Sequence, residues 1–325
     1  MQITPLTPRV GAEVTGIDLR QPVDAQTRER LHAAVVEHVA LVIRDQTLTP
    51  QEYLAAIAHF GEPMEQHFTQ YALPGCPLVH EVSNRHQDKA GKRVKHGAGW
   101  HTDHTNHVRP PKFTCLYAVA LPSTGGDTAI VNMRAGYETL PDEVKRRIDG
   151  LRTVNVFQGS ASATYSGQSA DAQAEHKPKP VLQPLVRTNP DNGTRALYFH
   201  PVKTENIEGM TAEDSQVLLN DLLERSVQPV SFIGTSGARG TCCFGTTAPR
   251  CIEPTSTTTP RSSDYFIASW CEARYRIDKL IAAPDGKSLQ TEGSARGSAQ
   301  AIVAGRAIKK VAPRSISLSA HSRPP

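Results

Sequence analysis

The chain has 325 residues, of which 38% are hydrophobic and 21% are charged, with a formal net charge of +4 at pH 7. This length suits one large domain, or a domain with a tail. No apolar run is long enough to span a bilayer, and the chain starts without a signal-peptide pattern. Membrane and secreted classes are therefore excluded, and we expect a cytoplasmic protein.

The first part of the chain alternates between strand-like and helix-like patterns. Residues 10–19 alternate apolar and polar side chains, which predicts a strand, and residues 25–39 carry apolar side chains at helical spacing before the strand-like run 40–43. Residues 49–52, Thr-Pro-Gln-Glu, form a capping box with proline at the first helical position. The helix that begins there is expected to end after Phe60, at Gly61.

The middle of the chain continues this alternation. Turn residues at 123–127 join two predicted strands, and residues 160–180, rich in Ser, Ala, Gln and Lys, predict a mobile loop. The predicted strands are 112–121, 128–133, 181–186 and 196–199, and the predicted helices are 141–148 and 211–225.

Trp100-His101-Thr102-Asp103 is the motif that points most directly to chemistry. Residues two apart on a strand point to the same face, so His101 and Asp103 could bind one metal together. A distant histidine would complete a 2-His-1-carboxylate triad for Fe(II), which leaves three positions open. The simpler alternative is a surface pair or a core hydrogen bond. The neighbouring His104 and His107 are expected to be solvated, or to act as off-pathway ligands.

The composition changes after Pro229. Residues 230–325 are rich in Ser, Thr, Gly, Arg and Pro with little sustained apolar periodicity, which predicts a poorly ordered tail. Within it the only histidine is His321, which no strand pattern surrounds. The sequence therefore supplies two ligands of a triad and lacks the third where a strand would present it.

Four motifs in order carry a resemblance to a known family. They are Gly-Ala-Glu-Val-Thr-Gly-Ile-Asp-Leu at 11–19, the Trp100–Asp103 motif, Leu-Pro-Ser-Thr-Gly-Gly-Asp-Thr at 121–128 and Pro-Leu-Val-Arg-Thr at 184–188. Together they resemble the TauD/TfdA family of Fe(II)- and 2-oxoglutarate-dependent oxygenases over residues 1–229. The resemblance implies an α+β fold, with a double-stranded β-helix (jelly-roll) core and flanking helices.

The resemblance also implies roles for individual residues. His101 and Asp103 would hold Fe(II), with 2-oxoglutarate as co-substrate and O₂ as oxidant, and Thr128 would hydrogen-bond a 2-oxoglutarate carboxylate. His67 would contact an anionic substrate group, and Phe199 would form a wall of the pocket. Each role has an alternative: Thr128 could satisfy the turn backbone, His67 could be a solvated loop histidine, and Phe199 could be a core residue.

The resembled family would continue with a Trp-Asp-Asn-Arg strand and an iron-binding histidine, neither of which is present. When the codons of residues 244–253 are read from their third base, they permit Trp-Asp-Asn-Arg and a histidine spanning the codons of Cys251 and Ile252. We therefore hypothesise a reading-frame shift close to residues 229–231.

This hypothesis divides the chain into two parts. Residues 1–229 would be an oxygenase domain that lacks its C-terminal strands, and residues 230–325 would be an out-of-frame, poorly ordered tail. The C-terminal strands of the jelly-roll are therefore expected to be disrupted.

Two functions remain open at this stage. The first is a dioxygenase that hydroxylates a small anionic organic substrate, a sulfonate or carboxylate that is taurine-like or aryloxyalkanoate-like. Gly-Ala-Gly at 97–99 stands where a taurine-specific asparagine is expected. The alternative is an inactive, frame-shifted family member. The basic C-terminal tail could be an arm that binds nucleic acid, but it lacks the interleaved aromatic residues of a stacking platform, so we expect no nucleic-acid partner. A homo-oligomer is compatible with the resemblance.

Overall fold

The computed structural model describes residues 1–65, 69–83, 85–87, 91, 99–121, 127–157, 179–227, 232–235, 240–246, 250–255 and 265–272. Residues 1–276 form one compact unit, to which all of these belong. Helices and mostly antiparallel sheets mix along the chain, as the sequence predicts. The predicted loop at 160–180 lies outside the described residues, apart from its last two positions.

Side-chain caps define where four of the helices begin. At the helix Met133–Glu138, Asn132 accepts from Arg134 N and Ala135 N. Asp24 accepts a hydrogen bond from Thr27 N, Thr49 and Glu52 form the predicted reciprocal capping box, and Thr211 accepts from Asp214 N. The helices are α1 (Ala25–His38), α2 (Pro50–Ile57), α3 (Met133–Glu138), α4 (Asp142–Ile148) and α5 (Ala212–Ser226).

Helix α2 ends three residues earlier than the sequence predicts. The backbone N–H groups of His59 and Phe60 donate to the carbonyl oxygens of Ala56 and Ile57, three residues back. The last turn is therefore tightened into a non-α turn before Gly61 is reached.

Short strands make up the rest of the described structure. In chain order they are β1 (Gln2–Pro5), β2 (Ala12–Thr15), β3 (Ala40–Ile43), β4 (Glu62–Pro63), β5 (Ala72–Leu73), β6 (Cys76–Ser83), β7 (Phe113–Ala120), β8 (Asp127–Asn132), β9 (Arg152–Asn155), β10 (Val181–Pro184), β11 (Val186–Thr188), β12 (Arg195–Leu197), β13 (Thr204–Ile207), β14 (Phe232–Thr235), β15 (Cys242–Thr246), β16 (Arg250–Thr255) and β17 (Tyr265–Glu272).

The largest sheet has the strand order β1-β2-β3-β15-β7-β17-β6-β5, with β4 paired to β17. Strands β2 and β3 run parallel, and the other described pairs of this sheet are antiparallel. Cys242 of β15 stands opposite Ile43 on one side and Tyr117 on the other. Strands from the end of the described chain therefore lie in the middle of this sheet.

The expected disruption of the C-terminal strands is not what the structure shows. Strands β14 to β17 pair with β8, β3, β7, β6 and β4. The physical reason is that sheet pairing uses backbone groups, and residues such as Phe244, Ile252 and Tyr265 are aromatic or β-branched and favour strands. The reading-frame shift and the domain boundary at residue 229 stay predictions.

Three smaller sheets complete the described strands: β14-β8-β16, β10-β9-β13 and β11-β12. The predicted strand 181–186 is divided between two of them at Leu185. That residue is fully buried, its N–H donates to Leu151 O (2.9 Å), and its carbonyl accepts from Tyr198 N (2.8 Å). Leu185 therefore marks the point where the chain changes sheet partners.

The described residues form three apolar clusters, of which two are large and the third is the small group Val10, Val39, Ala40 and Ile130. The first joins α1 and α2 to the large sheet through residues such as Leu31, Leu41 and Tyr53. The second joins α3 and α5 to the strands near β12, and Trp100 packs against it. This packing fixes the start of the His-x-Asp motif. Among the described residues, no helix combines the length and apolarity needed to cross a membrane.

Candidate metal and anion site

His101 and Asp103 face the same side of the chain, as the sequence predicts. His101 Nε2 lies 3.6 Å from Asp103 Oδ1, and both side chains are half-buried, whereas Thr102 between them is buried. The prediction that these two residues lie on a strand is wrong. His101 forms only an isolated β-bridge, and a turn follows in which His104 has a φ of 55°. The alternating direction of side chains along an extended backbone therefore places both on one side, although no regular strand pairing is present.

Each of the two side chains is held by a second hydrogen bond. Nδ1 of His101 lies 3.0 Å from the carbonyl oxygen of Gly99, and Thr114 Oγ1 on β7 donates to Asp103 Oδ2 at 2.8 Å. Donation from Nδ1 leaves the lone pair of the imidazole on Nε2, the nitrogen that faces Asp103. Such outer hydrogen bonds are typical of metal ligands, because they fix the tautomer and the orientation.

The distance between these two ligand atoms suits a shared metal ion. Adjacent ligands of an octahedral ion lie roughly 3 Å apart when metal–ligand distances are roughly 2.1 Å, and 3.6 Å needs only a small adjustment. Within the described residues, no group of three His, Cys, Asp or Glu side chains could hold a metal. The described residues therefore fit Fe(II) at two positions of a three-ligand face.

One buried imidazole that the sequence analysis missed, that of His200, lies beside this pair, and Lys203 follows it in the same turn. The His200 ring is buried, and its centroid is 6.1 Å from that of His101. Burial, followed by the charges of Lys203 and His101, lowers the pKa of His200 well below its ordinary value. Burial also lowers the pKa of Lys203, against the opposite effect of the Asp103 carboxylate. The available signal was that His200 directly follows the predicted strand 196–199, with Lys203 three residues further along.

The remaining predicted site residues lie in different environments. Phe199 is 2% exposed and belongs to the second apolar cluster. Thr128 is half-buried on β8, opposite Thr235 of β14 and Pro254 of β16. His67 lies outside the described residues. The structure thus brings His101 and Asp103 together and places Phe199 in the core.

His104 and His107 are half-buried, not solvated. His104 Nδ1 lies 3.3 Å from His107 Nε2, and the two rings meet edge to face with centroids 4.8 Å apart. Gln183 Nε2 donates to the carbonyl oxygen of His107 (2.6 Å). The Gln183 contact holds the turn after Asp103 against strand β10.

Comparison with known proteins gives one family over most of the described chain. The family model described as "Taurine catabolism dioxygenase TauD, TfdA family" matches residues 2–229. An alkylsulfatase of Acinetobacter baylyi is 31% identical over 243 residues, which cover 70% of this chain and 72% of that protein. The (S)-phenoxypropionate/alpha-ketoglutarate-dioxygenase of Sphingobium herbicidovorans is 32% identical over 236 residues, 70% of this chain and 79% of that protein.

Solved structures show the same fold over a longer stretch. A taurine dioxygenase from Burkholderia xenovorans superimposes with a TM-score of 0.69 at 28% identity, covering 83% of this chain and 89% of the other. AAD-2 in complex with Mn(II) and N-oxalylglycine gives a TM-score of 0.72 at 24% identity, with 84% and 98% coverage.

Proposed function

Because the chain belongs to the TauD/TfdA family of Fe(II)- and 2-oxoglutarate-dependent dioxygenases, we propose that it hydroxylates a small anionic organic substrate. The observation that carries this proposal is the His101–Asp103 pair, with its ligand atoms 3.6 Å apart and an outer hydrogen bond on each side chain. The substrate is a carboxylate or a sulfur oxyanion, since the named relatives act on a phenoxypropionate, an alkyl sulfate or taurine. These relatives do not favour the inactive alternative.

His101 and Asp103 would hold the iron through Nε2 and Oδ1. When bound, Fe(II) supplies redox chemistry with O₂ that neither an imidazole nor a carboxylate can provide. The chain's own contribution is orientation: Gly99 O fixes the imidazole tautomer, and Thr114 fixes the carboxylate. Trp100, packed against the second apolar cluster, anchors the motif from its N-terminal side.

Thr128 would hydrogen-bond a carboxylate of 2-oxoglutarate, and His67 would contact the substrate. Phe199 would form a wall of the pocket from within the second apolar cluster, where its side chain is 2% exposed. The jelly-roll belongs to the same proposal, supported by the antiparallel sheets and by the superimposed structures. We place the enzyme in the cytoplasm.

The reading-frame shift close to residues 229–231 is part of this proposal. Two observations support it. The family model stops at residue 229, whereas the superimposed structures cover 83–84% of the chain. In addition, β16 contains Cys251 and Ile252, whose codons permit the missing histidine in the other frame. Resequencing the DNA across the codons of residues 222–247 tests where the shift lies. One base gained or lost near residue 229 would restore the strand and its histidine, whereas a confirmed frame would make this chain a decayed member of the family with no turnover.

A metal titration of the full chain tests the ligand pair without requiring turnover. Mn(II) binding, followed by the loss of its free electron paramagnetic signal, should be abolished in His101→Ala and Asp103→Ala. Thr114→Val removes only the outer hydrogen bond and should weaken binding about tenfold. Thr194→Val, in an exposed turn where Thr194 bonds to Asn192, is the matched control. Equal affinity in all variants would show that the metal binds elsewhere.

Turnover tests the reaction itself. Full chain with Fe(II), 2-oxoglutarate and O₂ should form succinate at a higher rate when 2,4-dichlorophenoxyacetate, phenoxypropionate or hexyl sulfate is present. Succinate formation that no anionic substrate stimulates would refute the proposed substrate class.

A further inference from the structure

The turn between β12 and β13 carries two basic side chains for which the proposed reaction has no assigned role. His200 is buried, and Lys203 is half-buried three residues later. The His200 ring centroid is 6.1 Å from that of His101. The carboxylate of Asp103 acts on the pKa values of both His200 and Lys203. The ring of His200 therefore lies beside that of His101, and Lys203 follows it in the same turn.

Hydrogen bonds in this turn fix which nitrogen of His200 carries the proton. The backbone N–H groups of Val202 and Lys203 donate to His200 Nδ1 at 3.1 and 3.2 Å. A nitrogen that accepts two hydrogen bonds carries no proton, so the neutral ring is protonated on Nε2. His200 is thus a hydrogen-bond donor at Nε2, and it could bind a metal there only by moving this proton against two N–H donors.

Nε2 of His200 has no hydrogen-bond acceptor within the part of the chain that the structure describes. Lys203 likewise forms no ion pair with a described residue, and its Nζ lies 5.8 Å from the centroid of the Phe157 ring. A half-buried cation and an Nε2–H donor that no described side chain engages are both available to a bound anion. An anion between them would satisfy both groups.

We propose that Lys203 and the Nε2–H of His200 together bind the carboxylate or sulfate group of the organic substrate. Lys203 would supply the charge and His200 a directed neutral hydrogen bond, so that two oxygens of one anionic group are recognised. This inference rests on the proposed function and extends it, because it assigns the determinants of substrate charge. 2-Oxoglutarate carries the same chemical group, and the experiment separates the two ligands.

Isothermal titration of the full chain with 2,4-dichlorophenoxyacetate and with hexyl sulfate, in the presence of Mn(II), measures this site without turnover. Lys203→Met should weaken both affinities about ten- to hundredfold, and Lys203→Arg should restore most of the loss. His200→Asn should cost about three- to tenfold, since its Oδ1 can still accept from the turn N–H groups while the Nε2–H is lost. Lys145→Met on α4, where Lys145 pairs with Asp142, is the matched control.

The uncharged methyl ester of 2,4-dichlorophenoxyacetate distinguishes charge recognition from damage to the pocket. Its affinity should be the same in wild type and Lys203→Met. Equal binding of both anions by wild type and Lys203→Met would overturn the proposal, as would the absence of anion binding by the wild type. A parallel titration with 2-oxoglutarate completes the experiment. If Lys203→Met weakened only the binding of 2-oxoglutarate, the proposal would be overturned too, because the pair would then serve the co-substrate. Failure of the proposed function would appear separately, as absent substrate-stimulated succinate formation while these affinity differences persist.

Discussion

Strands β7 and β15 lie side by side in the large sheet, but they contribute different things. β7 follows a clear apolar pattern and supplies side chains to defined partners: Thr114 bonds to Asp103, and the Tyr117 hydroxyl donates to Gln46 O and accepts from Leu48 N. β15 pairs in register with β3 and β7 through its backbone, and Cys242 is buried. A position in a sheet therefore requires backbone pairing and compatible apolar residues, whereas a site requires particular side chains.

The same contrast holds between β8 and β16. β8 carries Thr128, and β16 lies beside it with Cys251 opposite Val131 and Ile252 opposite Ile130. The codons of Cys251 and Ile252 are those that permit a histidine in the other frame. The strand next to β8 is thus in place, and the sequence places Cys251 and Ile252 there, not a histidine.

The largest effect is expected from removing the late strands. Deleting residues 230–325 takes β15 from between β3 and β7 and β17 from between β7 and β6. The large sheet would lose its middle, and we expect the loss of the whole free energy of unfolding, about 5–15 kcal/mol. Circular dichroism and denaturant titration measure this. Deleting only residues 277–325, outside the first compact unit, is the control and should leave cooperative unfolding intact. A stable, cooperative 1–229 fragment would contradict the central role of β15.

Restoring the other frame after residue 229 should have the next largest effect. If the restored strand carries the third histidine, substrate-stimulated succinate formation should rise about a thousandfold, or roughly 4 kcal/mol in barrier height. The control is His101→Ala in the frame-restored chain, which should remove the gain. Equal turnover by the printed and the restored chains would mean that the printed chain obtains its third ligand elsewhere.

A smaller effect tests the local signals of the first region. Thr49→Ala removes the side chain that accepts from Glu52 N at the start of α2 and should lower the free energy of unfolding by about 1 kcal/mol. Gln51→Ala in the same exposed turn is the control, with an expected change of a few tenths of a kcal/mol. Thermal and denaturant unfolding measure both. If Thr49→Ala lowered the free energy of unfolding by no more than Gln51→Ala, the capping box would mark the start of the helix without stabilising it.

The smallest effect concerns a cluster that ties α1 to β7 and to the turn before β12. Lys112 Nζ lies 3.0 Å from His32 Nε2 and pairs with Asp191. Burial, then the Lys112 charge, lowers the pKa of His32 from its ordinary value of 6.5. The unfolded chain therefore binds the proton more readily, so stability is present above pH 6.5 and is lost as the pH falls below it.

Since His32 is partly exposed, we expect a loss of only a few tenths of a kcal/mol between pH 7.5 and pH 5.5 from this group. His32→Gln keeps an acceptor for Lys112 and does not titrate in this range, so its pH dependence should be flatter than that of the wild type. Denaturant unfolding at the two pH values measures the difference. If His32→Gln and the wild type had the same pH dependence of the free energy of unfolding, His32 would not contribute to it.

The sequence by itself determined the helices α1, α2 and α5, the strands β3 and β7 and the pairing of His101 with Asp103. Their signals are local: a cap, an apolar period or an alternation of two residues is written within one short segment. Only the tertiary structure decided that β15 lies between β3 and β7, that Phe199 packs in the core, and that the His200 ring lies beside that of His101. Those outcomes depend on pairing and burial between segments far apart in the chain, which no local pattern encodes.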